Sequence, residues 1–370
     1  MQAQDPRVRC SDRAADDRFR ILFLKESRFP QRCKVMRWMF CASVTVLSGL
    51  SLHSAEITEL GWLASSASRE CIVTPRRAPV DWEKRSAAVS VNQEWEKDRD
   101  KPWYVEMQRE GARWVEAGIV HGDQACVNWG LRQLAWGFEQ MQSDGSFRCQ
   151  DPFHSASFLV ESTARSLLLL RASSQKNALP AAAQALMPPL LTCARWLSSP
   201  VHEKTLGKQR IYTHRRFLLG CALEQTACLH DDESLHRSAR GLVADGLSLQ
   251  RDDGAFPEKG GHDSSYHAVA LIYLQRYEML MQPGPWRESC HAATERGIQW
   301  LLSRIDSQGN VSVEGNTRTG AEQEVGRSGI MKQINLPEVA TALMMHAYRC
   351  EQPRHRALAE KVIKSRSTSR

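Results

Sequence analysis

Apolar positions recur with a helical period along most of this chain, and a repeated turn punctuates the helices they define. Three copies are LRQLAWGFEQMQSDGSF (Leu131–Phe147), GLVADGLSLQRDDGAF (Gly241–Phe256) and GIQWLLSRIDSQGNV (Gly297–Val311). Each is an amphipathic helix followed by a polar turn that ends at a glycine. The glycines Gly145, Gly254 and Gly309 are 109 and 55 residues apart, two periods and one. The missing copy is expected near residue 199, where LLTCARWLSS (Leu190–Ser199) runs into Pro200. A period of that size holds one helical hairpin. A hairpin cannot bury its apolar face alone, so successive hairpins must stack.

The pattern predicts helices over Asp81–Lys97, Pro102–Ala117, Gln124–Met141, Ser155–Ser173, Leu179–Leu197, Arg215–Leu229, Glu233–Leu249, Ser264–Met281, Trp286–Ser303 and Pro337–Tyr348. Strand-like alternation is scarce. SASFLVESTARSLLLL, RRFLLGCALEQTACL and SSYHAVALIYLQRY are apolar almost all round, whereas ARGLVADGLSLQ and CHAATERGIQWLLS are one-sided. A helix apolar on every side is buried, and a one-sided helix lies at the surface. Their alternation predicts an all-α fold, an (α/α) toroid of about five to six hairpins, over residues 81–350. Residues 56–80 read as an irregular segment and residues 351–370 as a basic polar tail. Three connections are long: Ser143–His154, Arg251–Asp263 and Asp306–Asn335. Long loops in a compact helical domain tend to carry function.

The N-terminal stretch changes how the charge is read. Lys34, Met36 and Arg37 precede the apolar run Trp38–Leu52, which ends at His53, Ser54 and Ala55. A basic start, an apolar centre and a small-residue end read as a secretory signal peptide over residues 36–55. The run has 15 residues, and a membrane span needs about 20. The expectation is therefore export, to the periplasm or the outside, with the membrane met only through that peptide. A single-pass anchor is the alternative. Residues 1–35 read as an extension ahead of a start at Met36. Residues 1–55 hold 10 of the 49 Lys+Arg and 5 of the 42 Asp+Glu, so the formal charge falls from +7 to +2 without them. The basicity is mostly leader and makes no case for nucleic acid as a partner.

Eight cysteines follow the leader, an even number that permits disulfides in an exported chain. Several lie inside helical runs, where a small buried apolar role is the alternative. No CxxC or histidine-rich spacing points to a metal, and nothing in the sequence implies a cofactor.

The candidate chemistry stands at the starts of the buried helices. His154 precedes SASFLVE, His214 precedes RRFLLG, His262, Asp263 and Tyr266 open SSYHAVAL, and Asn335 precedes LPEVATAL. The steps from His154 to His214, Tyr266 and Asn335 are 60, 52 and 69 residues, one per hairpin. Parallel inner helices would put these residues around one mouth of the ring. Helix N-termini favour an anion there, and Arg215, Arg216, Lys259, Arg318, Arg327 and Lys332 crowd the same segments. Each residue also has a plainer role open to it. Asp263 and Ser264 are good helix caps, Asn335 with Glu338 resembles a capping box, and a lone histidine is often a structural hydrogen bonder. The polar stretch Glu314–Asn335 reads either as an insert without structure or as a loop that folds over a polar ligand.

Around THRRF (Thr213–Phe217) and GGHDSSY (Gly260–Tyr266) the chain resembles the α/α-toroid polysaccharide lyases, the group that includes alginate and glucuronan lyases, with the architecture spanning roughly residues 100–350. The resemblance implies cleavage of an acidic polysaccharide by β-elimination. Tyr266 would pass a proton to the leaving oxygen, and His214 would act as the base or its partner. Asn335, Arg215 and Lys259 would bind or neutralise the sugar carboxylate, with His262, His154, Arg318 and Lys332 as further substrate-binding residues. The residue types suit that chemistry. Donors aimed at the developing dianion are worth about 3 kcal/mol each, and a tyrosine hydroxyl needs nearby cations to ionise. Two other readings stay open. Glu161, Glu258 and Asp263 could serve a glycoside hydrolase, or the ring could bind glycan or protein without catalysis.

Overall fold

The computed structural model describes residues 59–174, 178–320, 324–326 and 330–368. Contacts divide the chain into Met1–Leu47, which lies outside the described residues, and Ser48–Arg370, which holds everything below. The expected leader segments 1–35 and 36–55 lie outside the described residues too. Among the described residues the regular structure is helical, with only isolated β-bridges between loops. None of these helices is long and apolar enough to cross a membrane.

Ten helices build the body: α1 (Glu110–His121), α2 (Gln124–Glu139), α3 (Pro152–Ser173), α4 (Met187–Leu197), α5 (Thr213–His230), α6 (Glu233–Ser248), α7 (Ser264–Leu280), α8 (Pro285–Ser303), α9 (Leu336–Arg349) and α10 (Pro353–Thr368). They pack as five consecutive hairpins, and α3, α5, α7 and α9 also lie side by side. That is the (α/α) toroid, with these four helices in the inner row. Composition explains the two rows. Val160, Leu167, Leu218, Leu223, Leu271 and Leu274 are fully buried on inner helices that have no continuous polar face. Outer α6 buries only Leu235, Ala239, Val243 and Gly246, and its cap Asp232 accepts from the N–H groups of Ser234 and Leu235.

The repeated turn has a structural meaning. Gly145, Gly254 and Gly309 adopt φ of 91°, 92° and 92°, a region L-residues avoid. A Cβ at each would lie 2.7 Å from Thr192 O, 2.4 Å from Arg296 O and 2.6 Å from Lys361 C, respectively. The turn leaving each outer helix therefore rests on the backbone of the next outer helix, α4, α8 or α10. The expected fourth copy near residue 199 is replaced by a 3₁₀ turn, Pro200–His202, and a short helix, Glu203–Gln209.

Three expectations change. Asp81–Lys97 is α-helical only over Val91–Lys97, with a single 3₁₀ turn at Trp82–Lys84, because Asn92 and Gln108 tie the stretch to neighbouring backbone instead. The segment expected to be irregular carries helical residues 59–64 and Ser66–Cys71, with Trp62 and Leu63 in the core. The expected polar tail is α10, which buries His355, Ala359 and Val362 and completes the fifth hairpin. Of the cysteines in helical runs, Cys193 and Cys221 are buried free thiols, as the small apolar reading expects, whereas Cys228 is only partly buried; Cys126 and Cys290 are buried free thiols as well.

Candidate active site

The first turns of α3, α5, α7 and α9 meet at one end of the inner row. His154 and His214 have ring centroids 6.2 Å apart, His214 and Tyr266 4.9 Å apart, and the N–H of Asn335 donates to Ser265 Oγ at 3.0 Å. The parallel inner helices thus bring together the histidines, the tyrosine and the asparagine that the periodic spacing singled out.

Two loops complete the site. The Thr213 hydroxyl donates to Pro257 O at 2.6 Å, and the N–H of Lys259 donates to Ile211 O at 2.6 Å. These bonds lay the 251–263 loop across the start of α5 and bring Glu258 to His214. The His214 Nδ1–H donates to Glu258 Oε2 at 2.8 Å, with both side chains buried. Asp263 attaches the second loop. Its Oδ1 caps α7 by accepting from the N–H groups of Ser265 and Tyr266, both at 3.1 Å. Its Oδ2 accepts from the N–H groups of Arg318 and Thr319 at 2.9 and 2.8 Å. Asn316 Oδ1 accepts from the Ser264 N–H, and the Thr317 hydroxyl donates to Glu258 O. The part of Glu314–Asn335 nearest α7 is therefore an ordered loop folded onto the mouth.

That loop delivers the cations. The Arg318 guanidinium lies 3.8 Å from the Tyr266 ring centroid, and Lys332 Nζ lies 5.5 Å from it. A cation over an aromatic face gains about 0.5–2 kcal/mol. Arg318 also pairs with Glu258 Oε1 at 2.6 Å and with Glu324 Oε2 at 3.0 Å. Glu324 in turn holds Lys259 and Lys332, each at 2.6 Å. Burial alone would raise the Glu324 carboxyl, but bonds from Lys259, Lys332 and Arg318 outweigh it and bring the pKa down to about 2. Burial holds His214 below the ordinary histidine range, although the Glu258 carboxylate pulls the other way. His214 is thus a neutral imidazole at neutral pH. Its Nδ1 proton is committed to Glu258, so Nε2 is the basic nitrogen.

The remaining expected residues lie around this centre. The Arg215 guanidinium sits 4.5 Å from the Tyr212 ring centroid, 3.9 Å from Asp151 Oδ2, and burial lowers its pKa. Asn335 caps α9 by accepting from the Glu338 N–H at 3.4 Å. His262 points elsewhere: its ring packs 5.4 Å from Trp300, and its Nε2 contacts Glu314 O at 3.2 Å. The three carboxylates of the hydrolase alternative are committed. Glu258 holds His214 and Arg318, and Asp263 is wholly buried in its cap. Glu161 does not reach the mouth; it pairs with Arg276 at 2.9 Å and Arg165 at 3.4 Å, beside Glu59. Tyr212, Asn316 and Glu324 belong to the site and carried no signal of their own in the sequence.

A cleft of about 320 Å³ is lined by Trp95, Arg99, Lys101, Trp103, Arg148 and Gln150 among others. Trp95 and Trp103 stack at 4.6 Å, with the Arg99 guanidinium 3.8 Å from the Trp95 ring centroid.

No protein-family model and no curated protein matches this sequence. Two solved structures are similar in fold. One is the chondroitin AC lyase of Streptomyces coelicolor A3 in complex with chondroitin sulphate, at 13% identity over 67% of this chain and 34% of that one, with a TM-score of 0.48. The other is a variant of alginate lyase A1-III complexed with a tetrasaccharide, at 14% identity over 78% of this chain and 72% of that one, with a TM-score of 0.37. The chain spans about a third of the length of the chondroitin lyase.

Proposed function

We propose that this protein is an exported polysaccharide lyase that cleaves an acidic, uronate-containing polysaccharide by β-elimination. One observation carries the reading: His214, oriented by a buried carboxylate, packs against Tyr266, and Arg318 and Lys332 stand over the tyrosine ring. A neutral base, a hydroxyl and cations within one short span are what β-elimination from a uronate needs.

The proton next to a uronate carboxylate is weakly acidic until that carboxylate is masked. Arg318, Lys332 and Arg215 supply the positive charge, and each well-aimed donor lowers the barrier by about 3 kcal/mol. His214 Nε2 takes the proton from the carbon bearing the carboxylate. The electron pair forms the new carbon–carbon double bond, the glycosidic C–O bond breaks, and the Tyr266 hydroxyl gives its proton to the leaving oxygen. One proton is taken and one returned, and no water is consumed. The aromatic and cationic cleft at Trp95, Arg99 and Lys101 has the lining an acidic sugar chain would favour.

The test incubates the purified protein with a panel of uronate polysaccharides and follows the ultraviolet absorbance of unsaturated sugar ends. The expected result is a rise on one substrate class that Tyr266→Phe reduces at least a hundredfold. New reducing ends without that absorbance would replace elimination by hydrolysis, and tight binding without any product would leave a glycan-binding ring. Export rests on the Trp38–Leu52 run, and N-terminal sequencing of secreted material is its check.

A further inference from the structure

At the far end of α7 from Tyr266, donors from two further helices converge. His291 and Glu295 are one turn apart on α8, and Cys350 closes α9. One donor atom from each lies within 4.8 Å of the others. Glu295 Oε1 is 3.8 Å from His291 Nε2 and 3.6 Å from Cys350 Sγ. A tetrahedral Zn²⁺ with bonds of about 2.0 Å to N and O and about 2.3 Å to S holds its donors about 3.3–3.5 Å apart. The two gaps to Glu295 Oε1 are about 0.1–0.5 Å wider than that, within side-chain adjustment.

Two of the three donors are already oriented. The His291 Nδ1–H donates to Glu278 Oε1 at 3.0 Å, and Glu278 is buried and also held by Arg349. That bond leaves Nε2 as the lone-pair nitrogen facing Glu295, the carboxylate–histidine arrangement that orients metal ligands. Glu295 Oε1 is bonded at 2.5 Å to Nε2 of His346, whose Nδ1 meets His355 Nδ1 at 3.0 Å. The chain ends at His355 Nε2, a buried nitrogen with no hydrogen-bond partner. A single proton order fits: His355 Nδ1–H donates to His346, and His346 Nε2–H donates to Glu295. With a thiolate, a carboxylate and a neutral imidazole, a divalent cation is neutralised in full. His291 and Glu295 are 44% and 38% exposed, so the ion can enter from solvent and keep a water as its fourth ligand.

A second trio, Glu224, Cys228 and His236, lacks this support. Its Glu224–His236 bond at 2.8 Å repeats the Glu278–His291 bond one hairpin earlier, joining an inner helix to its outer partner. No counterpart of Glu295 and His346 stands beside it among the described residues, so it reads as a hairpin staple.

We propose that His291, Glu295 and Cys350 form a zinc site that clamps the α7–α8 hairpin to α9. It lies about 18 Å along α7 from Tyr266, twelve residues at 1.5 Å each, and is independent of the proposed reaction. Burial pushes the Cys350 thiol up to about 11, so at neutral pH the sulfur must give its proton to solvent as the metal binds.

The test uses the tag-free full chain, stripped with a chelator, with Zn²⁺ followed by calorimetry and Co²⁺ as the spectroscopic probe. One Zn²⁺ per chain is expected, with about one proton released and a raised thermal midpoint. The Co²⁺ form should show thiolate-to-metal charge-transfer absorption. Cys350→Ser should abolish that band, and both it and His291→Ala should weaken Zn²⁺ at least tenfold, whereas His236→Ala should change neither. Glu295→Gln, which preserves shape and hydrogen bonding, should also weaken binding tenfold. A Co²⁺ spectrum without the thiolate band, or Zn²⁺ affinity within threefold of the parent in Cys350→Ser and Glu295→Gln, overturns the site.

Discussion

Glu258→Gln isolates the proton logic of the site, because the two neighbours of that carboxylate both donate to it. Arg318 donates to Oε1 at 2.6 Å, and His214 Nδ1–H donates to Oε2 at 2.8 Å. A glutamine offers one acceptor oxygen and one amide nitrogen. The guanidinium is always a donor, so it claims the oxygen and the amide NH₂ turns toward His214. Nδ1 must then accept, and the imidazole proton moves to Nε2, the nitrogen proposed to act as base. A histidine held in the wrong tautomer costs up to about 10⁴ in turnover in enzymes that use one as a base. Turnover should therefore fall by about 10³–10⁴, with substrate affinity changed much less.

The cost in stability should be smaller than this loss. Breaking a buried ion pair costs about 3–5 kcal/mol, but Arg318 keeps Glu324 at 3.0 Å. About 2 kcal/mol is the expected loss, leaving a folded protein to assay. Initial rates of unsaturated-end formation measure turnover, denaturant unfolding measures stability, and imidazole ¹⁵N shifts report the tautomer without relying on activity. Turnover within fivefold of the parent, or a His214 that keeps its proton on Nδ1, would refute the reasoning. Glu324→Gln is the control: it loosens the cation cluster but leaves the His214 tautomer alone.

Gly254→Ala should cost about 3 kcal/mol, from positive φ and a Cβ 2.4 Å from Arg296 O, whereas Gly241→Ala, exposed on α6 with open space around it, should be neutral or stabilising by up to about 1 kcal/mol; denaturant midpoints decide. His267 is buried, accepts from the Phe256 N–H at 3.1 Å and donates to Gly297 O at 2.8 Å, and burial brings its pKa down to about 4. The unfolded chain binds the proton first, so stability is full above about pH 6.5 and is lost as pH falls toward 4, by about 3 kcal/mol; His267→Gln should flatten that part of a pH–stability curve. By the same sign, His214 should be neutral and competent above pH 6.5, so the acid limb of kcat/KM should lie below that value. Glu161→Ala removes a carboxylate shared by the buried Arg165 and Arg276 and should cost about 3–5 kcal/mol, measured by thermal or denaturant unfolding, without altering the mouth.

Most of the inner row was legible because its signal is local. Helices apolar on every side, such as SASFLVESTARSLLLL, belong to α3, α5 and α7, and their boundaries fall within a few residues of expectation. The two helical segments that were missed, residues 59–71 and α10, share one cause, apolar surface too sparse to show a period. α10 holds PRHRALAEKVIKSRST and puts few large side chains into the core, so composition reads it as a tail. The repeat itself contained the correction. Each glycine turn rests on the next outer helix, and Gly309 rests on Lys361 and Val362. A third copy of the turn therefore required a helix after α9, whatever its charge.

The site divides along the same line. Periodic helix starts were enough to bring His154, His214, Tyr266 and Asn335 together, because parallel inner helices turn chain spacing into a ring. What spacing could not give was the partner of each side chain, since those partners come from loops 44 to 60 residues away, as with Glu258 for His214 and for Arg318. By residue type Glu258 is a candidate acid or base for hydrolysis, yet its burial between two donors commits it to orienting the histidine. His262 shows the converse: four residues before Tyr266, it is carried toward Trp300 because Asp263 caps the helix between them. Asp263, a plain cap by its sequence context, also binds the backbone of Arg318 and Thr319, so it links the start of α7 to the loop that bears the cation. A change at Asp263 should thus displace Arg318 from the Tyr266 ring before it melts α7: the cap contributes about 1 kcal/mol, whereas the loop has no helix of its own to hold it in place.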